Sequence, residues 1–168
     1  SAQDVIAAQP SVGPMIPVSF TSKEFGLPVK GANPSESLGG GICVIDVNGD
    51  SKPDLVVLRR GATPIEIFLN TAGQLKQASA EQFGLLAKGN GISCAVGDYD
   101  NDGLADLAIG LEDRVILFKN DGHGKFTDTT KSTGITALNR PAGLSFVDYD
   151  HDGDLDLFVA GQKSSEIG

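Results

Sequence analysis

The chain alternates between short apolar runs and acidic or glycine-rich turns. Runs such as GISCAVGDY (91–99) and RVILFKN (114–120) are rich in β-branched and small apolar residues, and Gly, Asp or Asn stands at their ends. With 22 Gly among 168 residues, tight turns are frequent along the whole chain. The pattern predicts many short strands, and therefore an all-β fold.

The same succession of strands and turns is repeated. In the middle copy, four strands are predicted at 91–99, 104–111, 114–120 and 126–130, and the Asp-Gly pair at 121–122 marks a hairpin turn between the last two. The first copy has matching runs at 39–46, 54–60, 65–70 and 75–79, and the third has runs at 142–149 and 155–160. Each complete copy is expected to form one four-stranded antiparallel sheet.

An acidic loop of nine residues joins the first and second strands of every copy, at 46–54, 98–106 and 148–156. The first Asp of each loop follows the previous one after 52 and then 50 residues, which is close to the roughly 40 to 50 residues of a propeller blade. We predict that residues 20–168 form an incomplete β-propeller of about two and a half blades. Residues 20–27 match an outer strand, and residues 1–19, which contain three prolines, are expected to be an extended lead-in.

Each loop carries side-chain oxygens at positions 1, 3, 5 and 9, and a backbone carbonyl is available at position 7. Calcium binds about six to eight oxygens at roughly 2.3 to 2.6 Å. The sequence therefore predicts three calcium sites, one in each loop. The predicted ligands are Asp46, Asn48, Asp50, Lys52 and Asp54 in the first loop, Asp98, Asp100, Asp102, Leu104 and Asp106 in the second, and Asp148, Asp150, Asp152, Asp154 and Asp156 in the third.

Solvated turns, EF-hands and transition-metal sites fit the loops less well. Asp, Asn and Gly are common in solvated turns, but like charges this close repel one another, and chance would not place them three times in one register. An EF-hand loop ends in Glu at position 12, where these loops have Val57, Ile109 and Val159. No Cys or His recurs with the loops, which disfavours a transition metal.

The amino-acid composition argues against two classes of partner, nucleic acids and membranes. The three loops hold 12 of the 22 acidic residues, so the net charge of −9 is mostly their own. The 13 Lys and Arg are scattered, so nucleic acid is not expected as a partner. No apolar run approaches the roughly 20 residues of a spanning helix, so membrane insertion is not expected either.

Two cysteines stand at similar but unequal places in the first two copies. Cys43 lies three residues before its loop and Cys94 four residues before its own. Side chains alternate along a strand, so the two should face opposite sides of their sheets. We expect two buried thiols rather than a disulfide.

Catalysis is not expected. The two histidines, His123 and His151, fall in a hairpin turn and at an even loop position, and the carboxylates are already assigned as ligands. No nucleophile motif or phosphate-binding loop is present. Recognition of a carbohydrate would favour surface aromatics, but the chain has no Trp and only two Tyr.

Three motifs carry a family resemblance. The D-x-D/N-x-D-G-x-x-D-L loops, the L-F-x-N-x-G-x-G-x-F hairpin (117–126) and the F-T-D-x-T…G-I exit (126–135) resemble the FG-GAP or VCBS-type repeats of integrin α-chain propellers. They are still more similar to the ASPIC/UnbV (cartilage acidic protein-like) family. The resemblance covers about residues 20–161. The sequence departs from it in Ser51, which replaces the loop glycine, and in having fewer than three blades.

The resemblance implies a seven-bladed propeller with calcium in the loops, in secreted or surface proteins that bind rather than catalyse. We therefore expect a calcium-stabilised interaction or adhesion module in an extracellular, cell-surface or periplasmic protein. The partner is a protein, or alternatively a glycan, and the alternative function is an accessory domain of a metal-dependent hydrolase or lyase. Missing blades or another chain would complete the open blade edges. The first loop, with one amide among its ligands, should bind calcium most weakly.

Overall fold

The computed structural model describes residues 40–135 and 141–161, which all belong to one compact unit. Within those ranges the chain forms ten strands and a short 3₁₀ helix at Ala80–Phe83. The strands are β1 (Ile42–Ile45), β2 (Asp54–Leu58), β3 (Ile65–Thr71), β4 (Gln74–Ala78), β5 (Gly91–Gly97), β6 (Asp106–Leu111), β7 (Val115–Asn120), β8 (Phe126–Asp128), β9 (Pro141–Val147) and β10 (Asp156–Gly161).

The strands make antiparallel sheets in chain order. In the described ranges, β1 to β4 form the first sheet, β5 to β8 the second, and β9 pairs with β10. The predicted fold class, a partial β-propeller of four-stranded antiparallel blades, is confirmed. The predicted outer strand at 20–27 and the lead-in at 1–19 lie outside the described residues, so these two predictions stay as they were.

The first two sheets pack face to face and enclose the main core. Val56 and Ile67 of the first sheet and Leu107 and Ile109 of the second have no exposed surface. Burying an aliphatic side chain of this size contributes about 1.5 to 3 kcal/mol. The alternation of side chains along each strand therefore gives the second sheet one face for the first sheet and one for the third.

The second and third sheets approach each other through small residues. A Cβ at Gly97 would lie 2.9 Å from the side chain of Phe146, so only glycine admits that ring. The Ser93 hydroxyl donates a hydrogen bond to the Pro141 carbonyl at 3.1 Å. The third sheet is thus placed against the second in the same way as the second against the first.

The prediction for the two cysteines is wrong. Cys43 of β1 and Cys94 of β5 form a disulfide with a Cα–Cα distance of 6.1 Å. The two strands run so close that a Cβ at Gly41 would lie 2.9 Å from the Ser93 Cα. Opposite faces of two sheets would be far apart if the sheets lay side by side, but they meet when the sheets are stacked. The one-residue offset between the cysteines therefore favours the bond.

No helix among the described residues is long and apolar enough to cross a membrane.

We expect removal of the disulfide to destabilise the stacked sheets. The bond joins residues 51 apart in sequence, and a bridge over such a distance contributes about 2 to 4 kcal/mol. The Cys43→Ser/Cys94→Ser variant should show a lower free energy of unfolding in urea. A reductant should lower the melting temperature of the wild-type protein and leave that of the double variant unchanged. Equal stability of both proteins would contradict a structural role for the bond.

Candidate metal centre

Each acidic loop leaves the end of one strand and returns as the next strand of the same sheet. The first loop begins directly after β1 with Asp46 and ends with Asp54, the first residue of β2. The second and third loops follow β5 and β9 in the same manner. The second strand of the middle sheet begins at Asp106, two residues later than predicted, because Leu104 and Ala105 still belong to the loop. Each loop therefore lies at the same end of its own sheet.

Left-handed backbone at two positions curls each loop. Position 4 has a positive φ of 77° at Gly49, 57° at Asn101 and 61° at His151. Position 6 does so as well, with 62° at Ser51, 86° at Gly103 and 98° at Gly153. Gly adopts this conformation freely, whereas other residues lose about 1 to 2 kcal/mol in it. Ser51 keeps the loop geometry at that cost, and the side chain of His151 is exposed.

The first Asp of each loop closes it by accepting main-chain hydrogen bonds. The Asp46 carboxylate accepts from the N–H groups of Gly49 at 2.8 Å, of Asp50 at 3.1 Å and of Ser51 at 2.6 Å. Asp98 accepts from Gly103 at 2.8 Å. Carboxylate bonds of this kind are stronger than neutral ones and fix the curl of the loop.

The ninth residue anchors the loop to the sheet. Asp54 and Asp106 have no exposed surface. Asp106 accepts from the N–H groups of Tyr99, within the loop, at 3.2 Å and of Asn120, at the end of β7, at 2.8 Å. Asp54 makes the same pair of bonds in the first sheet. Burial raises the pKa of Asp106, and the two N–H donors oppose that rise.

Sequence reasoning assigned position 9 only as a ligand and missed its structural partner on the third strand. No side-chain signal could have shown it, because the donors are the main-chain N–H groups of Asn70 and Asn120, which any residue except proline would supply. In the third loop Asp156 is exposed and accepts from the Tyr149 N–H at 3.2 Å.

Carboxylates converge in two of the loops. In the second, oxygens of Asp98, Asp100 and Asp106 all lie within 4.8 Å of one another. In the third, the same holds for Asp148, Asp150 and Asp152. The first loop brings no such group of three acidic side chains together among the residues described; its position 3 is the amide of Asn48, whose oxygen accepts from the Asp50 N–H at 3.0 Å.

Lysine side chains lie beside the carboxylates of the first two loops. In the second, the Lys119 ammonium bridges Asp100 and Asp102, with its nitrogen 2.9 Å from the Asp102 Oδ2. These hydrogen bonds raise the pKa of Lys119 and hold the pKa of Asp102 below its usual value. In the first loop, the Lys52 Nζ lies 3.0 Å from the Asp50 Oδ2 and lowers the pKa of Asp50.

The third loop has a different charge balance. Within the described part of the chain, no lysine or arginine pairs with its carboxylates. The Asp148 Oδ1 is buried and has no hydrogen-bond partner there. The side-chain amide of Asn101 in the second loop donates to Asp154 at 2.6 Å, which joins the two loops.

The predicted ligands are therefore arranged unequally. Asp102 faces Lys119, and Asp156 binds main chain outside the group of three. That all fifteen residues are calcium ligands stays a prediction. Three of them, Lys52, Leu104 and Asp154, are predicted to bind through their main-chain carbonyls.

A family model described as an FG-GAP-like repeat matches the chain twice, over residues 46–109 and 100–159. The matches begin at or inside an acidic loop and extend through the next loop into its following strand. The chain belongs to the FG-GAP-like repeat family. No curated protein matches it. The narrower resemblance to ASPIC/UnbV or integrin propellers stays a prediction.

We expect Ser51→Gly to stabilise the protein, because glycine removes the left-handed strain at position 6. The gain should be about 1 kcal/mol in chelator, measured by urea unfolding. The matched control is Ser79→Gly, because Ser79 has a φ of −76° and makes no side-chain cap bond. That control should be neutral or slightly destabilising. An equal effect of both substitutions would contradict local strain at Ser51.

The stability lost on removal of the carboxylate at loop position 9 should depend on how deeply that carboxylate is buried. Asp106→Ala leaves the partly buried N–H group of Tyr99 and the buried N–H group of Asn120 without an acceptor, so we expect about 2 to 4 kcal/mol lower stability in chelator. Asp156→Ala removes a single bond at an exposed place and should cost less than about 1.5 kcal/mol. Urea unfolding of the two variants and of the wild-type protein measures both losses of stability. Equal losses would show that the anchoring bonds contribute little.

Proposed function

We propose that the chain is a calcium-stabilised, non-catalytic propeller module that binds a partner protein outside the cytosol. The observation that carries this proposal is the third loop, where oxygens of Asp148, Asp150 and Asp152 converge within 4.8 Å and a buried Asp148 oxygen has no donor. A buried carboxylate oxygen without a partner is costly, and like charges at this distance repel. A bound cation would remove both costs.

The donor set fits calcium better than a transition metal. The converging groups are all carboxylates, and both cysteines are held in the disulfide. Hard oxygen donors suit calcium, magnesium or manganese. Magnesium demands a near-ideal octahedron and keeps several waters, whereas calcium accepts irregular shells of many carboxylates. We therefore assign calcium to the three loops, with the fifteen predicted residues as ligands.

The position of the loops supports binding rather than turnover. Each loop joins two strands at one end of its sheet, so a cation there would stiffen a turn and set the shape of that end. The side chains of His123 and His151 are exposed on turns. General acid–base catalysis would need such a group within hydrogen-bonding reach of a bound substrate.

The disulfide supports an oxidising compartment. Disulfides persist in secreted, surface and periplasmic proteins and are rare in the cytosol. Calcium is also abundant outside the cytosol. Both arguments point to the same places, and we propose an extracellular, surface or periplasmic location.

A glycan is the second candidate for the partner, and one observation favours it. Tyr149 is 71% exposed and its ring lies 5.5 Å from that of Phe158, which is 47% exposed. Sugars stack on exposed aromatic rings of this kind. Substitution Tyr149→Ala should abolish binding of the protein to a glycan array if the partner is a sugar. A wild-type protein that binds no glycan on the array would refute this second candidate.

Calcium should raise the melting temperature. Binding to the native state alone adds about 2.7 kcal/mol per site at a hundredfold excess over Kd. Addition of chelator to the purified protein should lower the melting temperature by several degrees, and metal analysis should find three calcium ions per chain. The Asp148→Asn/Asp150→Asn variant should bind one ion fewer, whereas Asp113→Asn, a surface change outside the loops, should bind as many as the wild type. Unchanged melting in chelator would refute the proposal.

A further inference from the structure

Lys119 is placed at the second loop by the sheet itself. It precedes Asn120, whose N–H is bound to Asp106, the last residue of that loop. The main chain next to Lys119 is therefore fixed relative to the loop, and its side chain reaches both Asp100 and Asp102. Such a contact is intramolecular, so the ammonium is present at the loop at a high effective concentration.

This arrangement is not a property of the repeat. The equivalent residue of the first sheet is Leu69, which precedes Asn70 as Lys119 precedes Asn120. In the third loop, the described residues place no lysine or arginine on the carboxylates, and a buried Asp148 oxygen has no partner. One loop thus has a cation supplied by a neighbouring strand, and another has converging carboxylates without one.

We propose that Lys119 is a tethered cation that competes with calcium for the second loop, so that the third loop fills at lower calcium than the second. This inference rests on the proposed function, because it assumes that the loops bind calcium. Asp100 and Asp102, the two residues that Lys119 contacts, are both predicted ligands. Calcium has to displace the ammonium from them before it can take their oxygens. When a site is free to bind for only a fraction of the time, its apparent affinity is the intrinsic affinity multiplied by that fraction.

The tyrosines allow the two loops to be measured separately. Tyr99 and Tyr149 stand at position 2 of the second and third loops, and the chain has two Tyr and no Trp. Tb³⁺, a hard cation that takes oxygen ligands as calcium does, emits when a nearby tyrosine is excited. The second and third loops are in contact through Asn101 and Asp154, so each background also empties the other loop. With Tyr149→Phe and Asp148→Asn/Asp150→Asn the emission reports the second loop, and with Tyr99→Phe and Asp98→Asn/Asp100→Asn it reports the third. Displacement of Tb³⁺ by calcium then gives a calcium Kd for each loop.

The test compares Lys119→Met with Lys125→Met in both backgrounds. Lys125 is an exposed lysine of the β7–β8 turn that contacts the Gln82 carbonyl and no loop carboxylate. We expect Lys119→Met to tighten calcium binding at the second loop by about tenfold, as removal of one nearby positive charge should. The third loop should be unaffected, and Lys125→Met should change neither. Before substitution, the calcium Kd of the second loop should exceed that of the third.

Contrary results would overturn the inference in distinguishable ways. If both loops bind but Lys119→Met leaves the second-loop Kd unchanged or weakens it, Lys119 is no competitor, and the proposed function stands. If neither loop gives tyrosine-sensitised emission or binds calcium, the proposed function fails and the inference fails with it. Lys119→Gln, a smaller change in a half-exposed side chain, is the second variant, and melting in chelator checks that each variant is folded.

Discussion

Mutual repulsion of carboxylates held within 4.8 Å of one another is the constraint on which the rest of this structure depends. The loops that hold them also connect the strands of each sheet, so a loop that opened would release a strand end. Main-chain N–H groups of the curled loop point at the first Asp, and one N–H of the loop and one of the third strand point at the buried ninth residue of the second loop. The fold thus neutralises part of the charge with its own backbone.

The negative charge that the main chain leaves without a partner differs from loop to loop. Lys52 and Lys119 lie against carboxylates of the first two loops, while a buried oxygen of Asp148 in the third has no partner in the described ranges. Three loops of one motif are therefore expected to differ in their demand for a cation. A graded response to calcium would suit a module whose binding face is stiffened in steps.

The stacking of sheets also explains where sequence reasoning failed. The strands, their order and the loops could be predicted, because alternation and turn chemistry act within about ten residues. The disulfide could not, because its two cysteines belong to different sheets. The offset of Cys43 against Cys94 was interpreted as separation, although in stacked sheets opposite faces are the ones that meet. The partners of Asp54 and Asp106 lie in the same sheet and were missed for another reason: they are main-chain N–H groups, which leave no mark in the sequence.

By itself, the sequence determined the repeat, the all-β blades and the acidic oxygens at odd loop positions, since period-two alternation and left-handed turn residues are local properties of the chain. Tertiary structure decided which of those oxygens converge, which are used by the backbone and which face a lysine. These outcomes depend on the exact register between paired strands and on the direction that each side chain takes, which the sequence pattern does not fix. Lys119 illustrates the difference: in the sequence it is one of 13 scattered basic residues, and only the pairing of β6 with β7 brings it to the second loop.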